Sequence, residues 1–224
     1  VWQDDRDGTY GIFGARVEGY DTYRYYEGNE VLRAWICVPL TVGLFARKDE
    51  TLRALWSDRL WTQDGLRTQA GSGTFWDRAT LFALRGALAT GDTERALERL
   101  RRYSRRRLLG EHVPYAVEAW PEGNQKHLAA ESALYARVYT EGLFGIRPTG
   151  LKRFTLRPRL PRGWERMALR DVRAFGGRFD VEVSREGGRV RIRVGAGESV
   201  YLDAAAADGE EVCVRLASAD EADR

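Results

Sequence analysis

The densest set of chemically capable side chains lies in one stretch. It runs His112-Val-Pro-Tyr115-Ala-Val-Glu118-Ala-Trp120-Pro-Glu122-Gly-Asn124-Gln-Lys-His127. Two carboxylates, two aromatics, two histidines and two amides lie within it. Aromatic faces stack on the apolar face of a sugar ring, while carboxylates and amides bond its hydroxyls. A carboxylate pair on opposite sides of a glycosidic bond performs acid and base work, standing ~6.5–9.5 Å apart where the reaction inverts. The competing expectation is equally strong on local sequence: Glu118 and Glu122 serve only as capping or solvated loop residues. A second cluster, Tyr20 to Glu30, holds Tyr25, Tyr26 and Glu27. Its tyrosines suit a pocket wall, although an acid at a helix start also complements the helix dipole. A third, Gly71-Ser-Gly73-Thr-Phe75-Trp76-Asp77-Arg78, offers Trp76 as a platform and Asp77 with Arg78 as a structural ion pair or cap.

Other chemistries fit poorly. His112 and His127 have no nearby cysteine, so no metal site and no cofactor is expected. Cys37 and Cys213 lie far apart and build no disulfide framework. Gly71-Ser-Gly73 lacks the strand and lysine of a phosphate loop. Seven arginines crowd residues 95 to 107, but Glu94 and Glu98 are interspersed and the formal net charge is +3. A solvated helix face is expected there, and no nucleic-acid partner. No apolar run approaches membrane-spanning length. The 224 residues, 43% hydrophobic and 31% charged, suffice for a sizeable core. The chain opens on Val1 in polar sequence. It is expected to be a portion of a longer polypeptide, which leaves localisation open.

The elements that must position these residues change period near Gly145-Ile-Arg-Pro148-Thr-Gly150. Before it the spacing predicts helices over residues 29–45, with Pro39 as a kink or break, 50–60, 76–90, 92–108 and 126–144. Gly91-Asp92 is a tight helical turn, whereas residues 61–75 and 110–125 are long connections rich in aromatics, glycine and polar groups. After it, alternation places inward sets at Phe154 and Leu156; Met167, Leu169 and Val172; Phe179, Val181 and Val183; Val190, Ile192 and Val194; Val200 and Leu202; Val212, Val214 and Leu216. Glu186-Gly-Gly-Arg189 reads as a hairpin turn, and six short strands suggest a small antiparallel β-sandwich.

Three pieces carry a family resemblance. Glu118-Ala-Trp120, the loop and last helix ending Glu141-Gly-Leu-Phe-Gly-Ile146-Arg-Pro148, and Lys152-Arg-Phe154-Thr-Leu-Arg157-Pro158-Arg159 resemble the C-terminal part of bacterial six-hairpin glycosidases of the α-L-rhamnosidase type. Phe75-Trp76-Asp77-Arg78 is similar, more distantly, to a helix start of related glucosidases. The likeness spans most of residues 75 to 195. It implies an α+β multidomain fold: the last helical hairpins of an (α/α)6 toroid over residues 1–147, then a β-sandwich over 148–224. It implies inverting hydrolysis of a carbohydrate, with Glu118 as general base and Glu122 as the alternative. Trp120, Tyr115 and Trp76 would be sugar platforms, with Tyr25, Tyr26, Glu27 and His127 lining the site. Val117 stands where rhamnosidases commonly carry Trp, which leaves the sugar open. The acidic motif of the family's general acid has no counterpart here. That acid is expected from an N-terminal remainder of the same polypeptide, which would also complete the toroid. A non-catalytic carbohydrate-binding module, a structural scaffold and a phosphorylase are the alternatives.

Overall fold

The computed structural model describes residues 31–109 and 129–216, together with the backbone strands β1 (Gln3–Asp4), β2 (Gly8–Thr9) and β6 (Ala119–Trp120). The described residues combine helices with antiparallel sheets, an α+β arrangement.

The helix expected over 29–45 is not continuous. A 3-10 turn, Ala34–Cys37, leads into a single turn of α-helix, α1 (Val38–Thr41), with Pro39 in its first turn. Proline has no N–H and its ring crowds the preceding turn, so the chain tightens before it and restarts. Helix α2 (Lys48–Leu55) buries Leu52 and Leu55 and stops short of residue 60. Ser57 ends it: its hydroxyl donates to Ala54 O at 2.7 Å, and its carbonyl accepts from Trp61 N.

The long connection after α2 is not structureless. It holds the hairpin β3 (Trp61–Thr62) and β4 (Gly65–Leu66), then β5 (Phe75–Trp76). The Thr80 hydroxyl fastens this segment to the next helix, accepting from Leu66 N and donating to Trp76 O, both at 2.9 Å.

Helix α3 (Asp77–Thr90) is the centre of the helical half and is buried on almost every side. Pairing of small and large residues explains the close packing. A Cβ built on Gly86 would stand 2.7 Å from Leu40 Cβ, so α1 crosses α3 where glycine leaves room. Gly91 ends α3 in the left-handed conformation, φ +94°. Helix α4 (Thr93–Tyr103) follows after two residues and buries one stripe, Ala96, Leu97, Leu100 and Tyr103. Asp92 precedes it but does not cap it with its side chain; its carboxylate accepts from Trp56 Nε1 at 2.7 Å and from Arg95. Both α4 and α5 (Ala129–Arg137) widen at their ends into π turns, Ser104–Leu108 and Val138–Leu143.

The strands after Gly145 form two antiparallel sheets. One has the order β13-β8-β7 and the other β12-β11-β10-β9. The strands are β7 (Arg147–Gly150), β8 (Arg153–Leu156), β9 (Arg166–Ala174), β10 (Gly177–Glu186), β11 (Arg189–Ala196), β12 (Ser199–Ala206) and β13 (Val212–Arg215). This is seven strands against the six expected. Phe154 joins the sheets: it is fully buried and its ring stacks on Phe175 at 4.8 Å and Phe179 at 5.0 Å. The turn at Gly187-Gly188 has positive φ at both residues and pairs Glu186 with Arg189, as the sequence predicts. Alternation holds through β10 and β11 but fails at Val200, which is half exposed. The β11–β12 register shifts between Val194 and Gly195, and this bulge turns Val200 away from the core face that holds Leu202.

Candidate functional site

The site is built on the first turn of α3. Strand β5 delivers Trp76 to the position just before that helix. The edge of its ring meets Trp35 at 4.3 Å between centroids, with the planes 84° apart. Such an edge-to-face pair fixes the orientation of both rings. Trp35 remains 43% exposed. Trp35 falls within the helix expected over residues 29–45. Its exposure follows from the break at Pro39, which leaves residues 31, 35, 38 and 42 as an uncovered apolar stripe.

Strand β6 pairs antiparallel with β5, with Trp120 opposite Phe75 and Ala119 opposite Trp76. The backbone of the carboxylate-rich stretch therefore meets the aromatic start of α3. Two of the three expected clusters converge here although about forty residues separate them. Of the residues singled out in sequence, Trp76 and the backbone of Trp120 lie within the described part. Glu118, Glu122, Tyr115, His127, Tyr25, Tyr26 and Glu27 lie outside the described residues. Glu118 directly precedes Ala119 in the chain.

Asp77 and Arg78 do not pair with each other, and neighbours on a helix do not face one another. Asp77 turns inward, wholly buried, and accepts from Arg107 Nε at 3.1 Å. Arg107, also buried, donates a second bond to Asp64 O at 2.9 Å. Arg106 forms an ion pair with the Asp64 carboxylate. The end of α4 is thereby tied both to the β3–β4 hairpin and to the start of α3. Tyr103 lies beside this pair; burial, and then the charge of Asp77, push its hydroxyl above the ordinary phenol range. Arg78 instead reaches α5, donating from Nε to Glu131 Oε1 at 2.8 Å.

The solvated-face expectation for residues 95–107 holds at Arg95, Arg101, Arg102, Arg105 and Arg106 and fails at Arg107. The sequence carried the signal: 96, 100, 103 and 107 continue one helical stripe, so Arg107 falls on the buried side. Arg99 is also partly withdrawn, its guanidinium 4.5 Å from the Trp56 ring and 5.4 Å from that of Trp61. Glu131 had no such signal, because a single glutamate in a helix reads as surface.

A second charge cluster sits in the other π turn. Glu141 accepts from Arg85 at 2.9 Å, from Arg137 and from Arg147. It ties α3 to β7 and lies away from Trp76, at the opposite end of α3. No group of three or more metal-ligating side chains occurs among the described residues, and no described helix is long and apolar enough to cross a membrane.

No family model matches the chain, and no curated protein matches it. It is similar to a solved structure named "Sialidase", with 18% identity and a TM-score of 0.58. The match covers 87% of this chain and 21% of that one, so the chain spans about a fifth of that protein's length. At this identity the likeness is one of fold.

Proposed function

We infer that this chain is the base-bearing part of a glycoside hydrolase. The observation that carries the inference is the β5–β6 pairing, which sets Ala119 opposite Trp76; Glu118 directly precedes Ala119 in the chain. An aromatic platform beside a carboxylate is what binding and hydrolysing a glycoside require. The likeness in fold to a sialidase, itself a glycoside hydrolase, supports the same class.

In this account Glu118 is the general base that deprotonates the attacking water, and inversion follows. Trp76 and Trp120 stack on the sugar, with Tyr115, Tyr25, Tyr26, Glu27 and His127 as the remaining lining. Residues 1–147 complete a helical toroid together with a further N-terminal part, which supplies the general acid, and residues 148–224 form the β-domain. The sugar is rhamnose or that of a sister family. The polypeptide that carries this chain, offered a panel of aryl glycosides, is expected to release one sugar as the inverted anomer in the first NMR spectra. Retention of configuration rejects the mechanism. Sugar binding without turnover by that polypeptide replaces it with a non-catalytic binding module.

A further inference from the structure

The π turn Val138–Leu143 is wedged between α3 and the strands, and a cleft opens beside it. Two glycines permit the wedge. A Cβ on Gly142 would stand 3.3 Å from the Arg85 backbone, and one on Gly145 only 2.6 Å from Arg157 O. Arg157 N donates to Phe144 O at 3.2 Å, which fixes the segment after β8 against the turn. The cleft, about 210 Å³, is lined by Glu141, Gly142, Gly145, Arg147, Arg157 and Glu211 among others. That volume suits a small ligand and not an oligosaccharide. The cleft lies at the opposite end of α3 from Trp76, so its occupancy is independent of the carbohydrate reading.

The charges around the cleft do not balance. Glu141 alone accepts from Arg85, Arg137 and Arg147, so three guanidiniums share one carboxylate. The cluster is sheltered: the Arg85 side chain keeps 7% of its surface and that of Glu141 19%. Arg85 Nε is buried without a hydrogen-bond partner among the described residues. Burial lowers the Arg85 pKa; Glu141 opposes the shift, while the charges of Arg137 and Arg147 add to it. Arg157 brings a further cation. Its Nε donates to a neutral acceptor, Gly209 O at 2.9 Å, which leaves its Nη edge unspent. Glu211, just before β13, offsets only one of these charges. Four arginines thus face two glutamates. The surplus matches a phosphate group, which carries ~1.5 to 2 negative charges at neutral pH, and guanidinium N–H donors fit its oxygens. We propose that this cleft binds a phosphate dianion, free or as the phosphate group of a small monoester, with the guanidiniums of Arg147 and Arg157 as its donors.

The test is a calorimetric titration of the polypeptide that carries this chain, in phosphate-free buffer at constant ionic strength. The probes are inorganic phosphate, glucose 6-phosphate, succinate and chloride. Inorganic phosphate is expected to bind with a millimolar or tighter Kd. Tighter binding of glucose 6-phosphate supports a monoester as the source of the group, and equal or weaker binding supports the free ion. Arg147→Gln and Arg157→Gln should each weaken phosphate binding by about tenfold or more, the loss typical of a charge-assisted hydrogen bond. Glu211→Gln removes a repelling carboxylate from the lining and should tighten binding by about threefold. Arg157 and Glu211 are exposed, so these two variants should fold, and they decide the matter if Arg147→Gln does not. Four results overturn the proposal: no phosphate binding at millimolar concentrations, binding unchanged in Arg157→Gln, binding of succinate but not phosphate, or equal binding of chloride.

Discussion

The Asp77–Arg107 pair should dominate the stability of the candidate site. Both side chains are buried, 3.1 Å apart, and Arg107 also holds Asp64 O at 2.9 Å. Asp77→Asn preserves the shape of the side chain but removes the carboxylate charge that Arg107 Nε meets in the buried pair. Breaking a buried pair by removing one partner costs about 3–5 kcal/mol. In a chain of this size each kcal/mol moves the midpoint by ~2–4 °C, so the loss is about 6–20 °C. Arg107→Met removes the other charge of the pair instead. The double variant removes both charges of one contact, so its loss should fall short of the two single losses combined by ~1–3 kcal/mol. Urea unfolding followed by tryptophan fluorescence measures all four proteins. A cost below about 1 kcal/mol for Asp77→Asn, the size of an ordinary surface change, or strictly additive losses would refute the pairing as the anchor of α3.

Gly86→Ala should cost about 1–3 kcal/mol by overpacking, since its Cβ would press on Leu40; thermal melts check this, and a neutral effect would mean that α1 shifts freely over α3. Burial pushes the Cys37 thiol up to about 12, while Cys213 is exposed. Iodoacetamide at pH 8 should therefore modify Cys213 rapidly and Cys37 only on unfolding, as peptide mass spectrometry will show. Because the folded Cys37 pKa is raised, its contribution to stability is complete below the unfolded value near ~8.5 and is lost as pH rises through the folded one. Asp180 behaves oppositely. Its carboxylate accepts from Asp171 N at 2.8 Å and meets Arg170, and these hold its pKa below the usual range. Its small contribution is present above about pH 4 and lost as pH falls through the folded value; Asp180→Asn should flatten that part of the acid unfolding curve.

Local chemistry in the sequence was enough for the elements with strong punctuation. Helix α3 ends at Gly91, the hairpin turns at Gly187-Gly188, and β10 and β11 alternate as expected. Long-range geometry was not legible. The two-residue strands β5 and β6 are too short to show a period, yet their pairing sets Ala119 opposite Trp76. The bulge at Gly195 depends on the partner strand, so the exposure of Val200 was hidden. Composition misled at Arg107, where a run of arginines masked one buried position. The sequence suggested that Asp77 and Arg78 pair with each other or cap the helix; they pair instead with Arg107 and Glu131, thirty and fifty-three positions along the chain, contacts that belong to tertiary structure.

The central claim is tested most directly by turnover. In the polypeptide that carries this chain, Glu118→Gln and Glu122→Gln should be compared with the parent on the glycoside it hydrolyses. Loss of a positioned general base predicts a fall of about 10²–10⁴ in kcat for Glu118→Gln, with an unchanged melting temperature and little change for Glu122→Gln. Full activity in Glu118→Gln, or no hydrolysis of any glycoside by the parent, would contradict the account.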